Sequence, residues 1–248
     1  EKLITKKTKA IIPVHLTGRI ADMKEINKIA KKYNINVIED SAQAVGAEYE
    51  NKKSGSFGIT GCFSLHPLKN LHVHGDGGIL TTNNKKIYEY VNKVRNHGLK
   101  NRDKCDFWGY NSRLDNIQAA IARIKLKDLN IINKKFIRIA KTYNDELKNL
   151  IKVPVFENNN RCVYHRYIIQ VEKRSNLINY LKGKGIETKI NYPIPLHFQP
   201  AAKNLNYKTG SLPNVESQSK RILSLPIYPE LTNNQIEYVI NNLKKYFK

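Results

Sequence analysis

The change of hydrophobic period between residues 9 and 40 limits this chain more than any other feature. Lys9 to His15 (Lys-Ala-Ile-Ile-Pro-Val-His) is a short apolar run suited to a buried strand, with Pro13 near its end. Ile20, Met23, Ile26, Ile29, Ala30 and Tyr33 then recur every three to four residues with charges between them, which predicts an amphipathic helix. Asn34 to Asp40 returns to an apolar run that ends on two carboxylates. Strand, helix and strand within about 30 residues make a βαβ unit, and its right-handed crossover implies a parallel sheet with helices on its faces.

The α/β pattern continues. Gly58 to Ser64 and Gly78 to Thr82 read as short strands, separated by the polar, histidine-containing segment Leu65 to Gly77. Asp115 to Leu129 predicts a helix with Ile117, Ala120, Ile121 and Ile124 on one face, running on toward Leu147 as helices that link two domains often do. After Pro154 the texture becomes a smaller α+β pattern. Val163 to Val171 is strand-like, Ser175 to Lys182 is a helix closed by Gly183 and Gly185, and Ile186 to Ile190 is strand-like again. The loop Asn191 to Pro200 carries three prolines, and a helix over Thr232 to Phe247 closes the chain. Two domains are expected, with the boundary near residues 130 to 150: 1–135 as the sheet domain and 136–248 as the smaller one.

Composition excludes several classes of function. The 248 residues, 40% hydrophobic and 26% charged, are enough to bury a core. No stretch approaches the roughly 18 to 20 consecutive apolar residues of a membrane helix, and Glu1 to Lys7 lacks the apolar core of a signal peptide, so a cytoplasmic protein with no membrane partner is expected. Cys62, Cys105 and Cys162 are far apart and without CxxC spacing, which favours reduced thiols over disulfides or zinc. Lys+Arg number 43 against 21 Asp+Glu, a net charge of +22. The basic residues are spread along the chain and are mostly Lys, which describes a solvated surface better than a nucleic-acid site. A nucleic-acid-binding protein would carry a docking module, and the sequence shows no zinc spacing, basic zipper or aromatic RNA motif.

In parallel α/β sheets ligands sit beyond the carboxyl ends of the strands. Asp40 ends one predicted strand and leads into Ser41-Ala42-Gln43; Ser64 ends another and leads into Leu65-His66-Pro67-Leu68-Lys69-Asn70. Taken singly, Asp40 reads as a cap on a following helix and Lys69 as one surface lysine among many. Taken together they match the needs of a pyridoxal-phosphate enzyme: a lysine to hold the cofactor as a Schiff base, an anion against the pyridine nitrogen, and donors for the phosphate. Lys69, Asp40 and Ser64 fit those roles, and the freed lysine amine could then shuttle a proton between the substrate's α-carbon and the cofactor.

These residues carry a resemblance. Ile38-Glu39-Asp40-Ser41-Ala42-Gln43-Ala44, Gly55-Ser56-Phe57-Gly58, Cys62-Phe63-Ser64-Leu65-His66-Pro67-Leu68-Lys69-Asn70 and Gly75-Asp76-Gly77-Gly78 resemble the sugar aminotransferases of the DegT/DnrJ/StrS family. Arg95-Asn96-His97-Gly98, Gly109 to Asp115, Gln118-Ala119-Ala120, Tyr192-Pro193-Ile194-Pro195-Leu196-His197 and Leu223 to Tyr228 follow in the family's order. The resemblance implies a fold-type I pyridoxal-phosphate transferase of the aspartate aminotransferase type: an α/β large domain with a mostly parallel sheet, a smaller α+β domain, and a homodimer with active sites at the subunit interface. It implies that Lys69 binds pyridoxal 5'-phosphate, that Asp40 partners its pyridinium, that Gln43 lies against its ring and hydroxyl, and that Ser64 holds its phosphate. Asn111 resembles a residue that reaches the phosphate from the partner subunit, and Tyr192 and His197 resemble residues near the sugar nucleotide. The reaction implied moves an amino group from glutamate to a keto-deoxy sugar of a nucleoside diphosphate, for amino-sugar or surface polysaccharide biosynthesis.

The sequence departs from the family in two places. Leu71-His72-Val73-His74 puts bulk and titrating groups where small residues are usual. The resemblance also begins part-way into the family's pattern, so the chain is expected to lack the N-terminal third, which supplies phosphate donors and an aromatic residue stacked on the cofactor. Family members that dehydrate rather than transaminate carry histidine in place of Lys69, so the lysine favours amino transfer. A non-catalytic, regulatory homologue or an inactive fragment is the alternative.

Overall fold

The structure is a computed structural model, and it describes residues 1–155 and 159–248. The chain divides into two compact units, Glu1–Lys134 with Glu157–His165, and Lys135–Phe156 with Arg166–Lys248.

In the first unit, β1 (Ala10–Ile11), α1 (Met23–Lys32) and β2 (Asn36–Asp40) form the expected βαβ unit, with β1 and β2 parallel. Asp22 caps α1 by accepting a hydrogen bond from Glu25 N at 3.2 Å, and Lys31 and Lys32 oppose the helix dipole in the last turn. Beyond β2 come the two-residue strands β3 (Glu48–Tyr49) and β4 (Lys52–Lys53), then β5 (Thr60–Ser64) and β6 (Gly78–Thr81). The main sheet has the order β1-β2-β5-β6, parallel except for the antiparallel edge strand β6. Ile20, Met23, Ala30, Val37, Ala44, Ala47, Tyr49 and Val163 form the core on the α1 side. Burial of each of its larger side chains contributes about 1.5–3 kcal/mol.

The expected strand Lys9–His15 is paired as a strand only at Ala10–Ile11, with an isolated parallel bridge from Val14 to Asp40. Pro13 interrupts it because it has no N–H to give the ladder, although its carbonyl still accepts from Asp40 N at 3.0 Å. Two elements were not expected: α2 (Lys85–Val94), capped by Asn84, and the β3–β4 hairpin, which β7 (Asn160–Arg161) extends to three strands.

The long helix is a single element, α3 (Asn116–Leu147), which contributes residues to both units. The second unit adds β8 (Tyr167–Gln170), α4 (Arg174–Gly183), α5 (Pro213–Arg221), β9 (Ile222–Leu225) and α6 (Asn233–Tyr246). β8 and β9 pair antiparallel, and Ile139, Tyr143, Leu147, Ile169, Leu177, Leu181, Leu223 and Leu243 are buried around them. The Tyr143 and Tyr167 rings lie 5.0 Å apart, and their hydroxyls donate to Pro226 O at 3.0 Å and Asn144 Oδ1 at 2.6 Å. The expected strand Val163–Val171 is shortened at its start, where Tyr164 takes φ +47°. Ile186–Ile190 contributes only a bridge between Lys189 and Ser224. Thr232 and Gln235 close a capping box on α6.

Candidate functional site

The site starts from the register of two neighbouring parallel strands. Asp40, the last residue of β2, is paired with Cys62 of β5, so their side chains leave the sheet on the same face. Ser64 lies two residues further along β5 and therefore on that face too. Glu39 and Gly61, also in register, point the other way, toward the buried side. The alternation of one strand thus separates two adjacent carboxylates into different environments.

Glu39 is fully buried and every direction around it is used. It accepts hydrogen bonds from Gly55 N at 2.7 Å, from Phe57 N and Gly58 N at 2.6 Å, and from His15 Nε2 at 2.9 Å. His15 Nδ1 accepts from Ala21 N at 3.2 Å, which places the ring proton on Nε2. Burial alone would raise the Glu39 pKa, but the His15 bond and the three backbone N–H groups hold it below the ordinary value. This buried cluster fixes the end of β2, and with it the origin of the Asp40 side chain.

Asp40 is half-buried, and no helix follows it, so it is not a helix cap. Its Oδ1 accepts from Ala42 N at 3.0 Å, closing a turn and leaving its second oxygen to meet a cation. The Gln43 carbonyl accepts from Thr17 N at 2.8 Å, which leaves the amide NH2 as a donor. Cys62, between Asp40 and Ser64 on the same face, has its thiol pushed upward, first by burial and then by the nearby carboxylates, against a bond from Thr60 that lowers it.

Lys69 sits on a turn immediately beyond β5. Ser64 Oγ accepts from His66 N at 3.2 Å, so its hydroxyl hydrogen can serve an anion; Lys69 N donates to His66 O at 2.9 Å, and the His72 ring donates from Nδ1 to Lys69 O at 3.0 Å. Gln118 brackets the backbone of His74, accepting from its N at 2.9 Å and donating to its O at 3.1 Å. The two histidines that departed from the family pattern therefore both take part in holding this turn, one through its ring and one through its backbone.

Asn111 stands elsewhere in the first unit. It is exposed, bridged to Asn96, and accepts from Arg113 Nε at 3.0 Å. Tyr192 and His197 belong to the second unit. Tyr192 is exposed, whereas His197 is buried, with Nε2 3.2 Å from Glu216 Oε1 and its ring against Phe198. Bonds from Gly210 N and Leu212 N, together with His197, hold the Glu216 carboxyl below its ordinary pKa against the opposing effect of burial. The structure therefore puts Asp40 and Ser64 at the carboxyl ends of the adjacent strands β2 and β5, with Gln43 and Lys69 on the turns just beyond them, while Asn111 lies on a separate segment of the same unit and Tyr192 and His197 belong to the second unit. Sequence reasoning missed the supporting roles of His15, Glu39, Thr17 and Asn133. Glu39 was visible beside Asp40, but nothing in the sequence marked Asn133, 63 residues from the neighbour of Lys69 that it contacts.

The donor set fits pyridoxal phosphate: a carboxylate oxygen for a pyridinium, an amide NH2 for a phenolate, a hydroxyl for a phosphate and an amine on a fixed turn. Among the described residues no group of three or more His, Cys, Asp or Glu could hold a metal ion. No helix among them is long and apolar enough to cross a membrane.

A mostly parallel sheet with helices, carrying this donor set at its strand ends, defines a fold-type I pyridoxal-phosphate-dependent transferase. The chain belongs to the DegT/DnrJ/EryC1/StrS aminotransferase family, whose pattern it matches over residues 1–244. It is 42% identical to a dTDP-3-amino-3,6-dideoxy-alpha-D-galactopyranose transaminase of Aneurinibacillus thermoaerophilus, over 99% of this chain and 68% of that protein. It is also 42% identical to a pleiotropic regulatory protein of Geobacillus stearothermophilus, over 100% of this chain and 68% of that one. The crystal structure of DesV from S. venezuelae, in complex with a ketimine intermediate, superposes with a TM-score of 0.96 at 36% identity, over 100% of this chain and 67% of that one. The chain thus spans about two thirds of the length of these relatives.

Proposed function

We propose that the protein transfers an amino group from glutamate to a keto-deoxy sugar carried by a nucleoside diphosphate, using pyridoxal 5'-phosphate. The observation that carries this reading is the shared edge of β2 and β5, where Asp40, Ser64 and the Lys69 turn stand together in a chain 42% identical to a dTDP-sugar transaminase.

When bound, the cofactor supplies an electron sink for the carbanion formed at the amino-bearing carbon. Lys69 would hold it through its amine, and that amine, when free, would be placed to move a proton at the amino-bearing carbon. Asp40 would keep the pyridine nitrogen protonated through the carboxylate oxygen not bonded to Ala42 N. Gln43 donates from its amide to the ring hydroxyl, and Ser64 donates to the phosphate. Asn111 reaches the phosphate of the partner's site in a homodimer, which suits its exposed position. Tyr192 and His197 serve the sugar-nucleotide side, from a smaller domain over 136–248 that accompanies the cofactor-binding part, 1–135. Three free thiols, Cys62, Cys105 and Cys162, suit a reducing cytoplasmic setting. The basic surface favours approach of doubly charged nucleotides, and the product suits amino-sugar or surface polysaccharide biosynthesis.

One relative favours a second reading, that of a regulator without turnover, because it is named a pleiotropic regulatory protein. A single assay separates the two. The protein is incubated with cofactor, glutamate and UDP-, dTDP- or GDP-keto sugars, and 2-oxoglutarate is measured. Sugar-dependent 2-oxoglutarate supports transamination; its absence with every sugar supports the regulator.

A further inference from the structure

We propose that Asn133 positions Lys69: with Asn70 it forms a buried amide clamp that ties the Lys69 turn to the turn leading away from Asp40 and Gln43. The inference rests on the reading of Lys69 as the residue that binds the cofactor.

Asn70 follows Lys69 directly and turns inward, 4% exposed, while Asn133 of α3 is 0% exposed. Asn70 Nδ2 donates to Asn133 Oδ1 at 2.9 Å and to Val163 O at 3.0 Å, and Asn133 Nδ2 donates onward to Val45 O at 3.1 Å. Val45 stands two residues beyond Gln43. One side chain on the helix therefore holds both halves of the cofactor edge, the lysine turn through Asn70 and the Asp40–Gln43 segment through Val45.

The far side of the clamp is shaped to admit this amide. Gly46 has φ +79°, and a Cβ there would lie 2.7 Å from Asn133 Nδ2. A buried polar pair is a costly way to fill space, since two apolar side chains of similar volume often pack as well. What the amides add is direction. Each hydrogen bond has a narrow geometry, so the pair fixes the register of two turns that apolar contact would let slide. A lysine amine on a long stem depends on that fixing, because a displacement of about 1 Å at a reacting group can cost roughly a hundredfold in rate.

The test uses the full chain and two readouts. The first is the fraction of pyridoxal phosphate that borohydride fixes to the Lys69 peptide at limiting cofactor. The second, without cofactor, is hydrogen exchange of peptides covering 42–47 and 65–74. For Asn133→Leu the inference expects trapping to fall about tenfold, with both peptides exchanging faster and those from α1 unchanged. Normal trapping in that variant overturns it, whether or not exchange rises, because the amide is then structural only. Where Asn133→Leu does not fold, Gly46→Ala, which presses on the clamp from its far side, decides by the same criteria. Absence of trapping at Lys69 in the unaltered protein fails the cofactor reading itself and removes this inference with it; trapping lost only in the variants fails neither.

Discussion

The imidazole of His15 and the carboxylate of Glu39 meet at 2.9 Å with both side chains shut off from solvent, on the face of the sheet opposite to Asp40. Their pairing links the segment after β1, the strand β2 and the loop 55–58, because the same carboxylate collects three backbone N–H groups. The candidate site at the ends of β2 and β5 thus rests on a buried, fully hydrogen-bonded carboxylate cluster.

Glu39→Gln is expected to destabilise the protein by about 3–5 kcal/mol, since one amide NH2 must then face a backbone N–H or the His15 donor. The pH dependence follows from the lowered Glu39 pKa. A carboxyl whose folded value lies below its unfolded value of about 4.3 stabilises the fold fully above that unfolded value, and loses the contribution as pH falls through the folded one. Urea titrations from pH 7 down to pH 3 should show stability falling below about pH 4 in the unaltered protein, and a shallower fall in Glu39→Gln. Equal slopes in the two proteins would remove Glu39 as the acid-sensitive group.

Asp40→Asn keeps an oxygen for Ala42 N, so the turn at the end of β2 survives. What it loses is the negative charge that, in the proposed site, would face the pyridinium. The expected result is a fall in kcat of roughly 10²-fold or more with a much smaller change in cofactor affinity. Steady-state kinetics beside a cofactor titration checks this, and a loss confined to affinity would point to a binding role instead.

Lys69→Ala is expected to abolish the visible absorption of lysine-bound cofactor and to lower amino transfer by about 10²–10⁴-fold or more. The turn should persist, because it is closed by backbone bonds from Lys69 N to His66 O and from Val73 N to Leu65 O, which alanine retains. Circular dichroism unchanged from the unaltered protein, together with loss of the band, is the expected pair of results.

The parts of this architecture with strong periodicity could be read from the chain itself. The apolar spacing of Ile20 to Tyr33 predicted α1, and the run ending at Glu39-Asp40 predicted β2 to the residue at its carboxyl end. The β3–β4 hairpin escaped because its strands are two residues long, with Tyr49 their one apolar residue, and its turn is made by Glu50 and Asn51 at φ +47° and +63° without a glycine. The helix α2 escaped although Asn84 before Ile87 and Val91 is a start signal, because Tyr and Lys blur its faces and none of its residues is buried. At the site, residue types singled out Asp40, Ser64 and Lys69 as candidates, and the strand register adds that Asp40 and Ser64 share one face of the sheet. Asn133 gave no local signal, because a polar residue in a helix reads as solvent-facing until the fold buries it. His197 was expected on the substrate side, and the structure adds a bond to Glu216 whose partners lie well along the chain, beyond the reach of local pattern.

Gly98 tests how the segment bearing Asn111 is held. It has φ +76°, and a Cβ there would lie 1.6 Å from Phe107 O, so alanine needs both a strained backbone and a displaced chain. Its own backbone is used on both sides, Gly98 N donating to Lys93 O at 2.8 Å and Gly98 O accepting from Asp106 N at 3.0 Å. His97 N donates to Tyr110 O at 2.8 Å and Ser112 N to Arg95 O at 2.8 Å, so a shift at 98 moves the segment that carries Asn111. Gly98→Ala is therefore expected to cost about 2–4 kcal/mol of stability. In a dimer that shares its sites it should also weaken cofactor retention more than Gly210→Ala, where φ is +88° but no atom lies within 4 Å of the added Cβ. Thermal unfolding and cofactor dialysis of the two variants side by side measure both effects. Equal losses would show that left-handed backbone strain alone, and not contact with Phe107, sets the cost at Gly98.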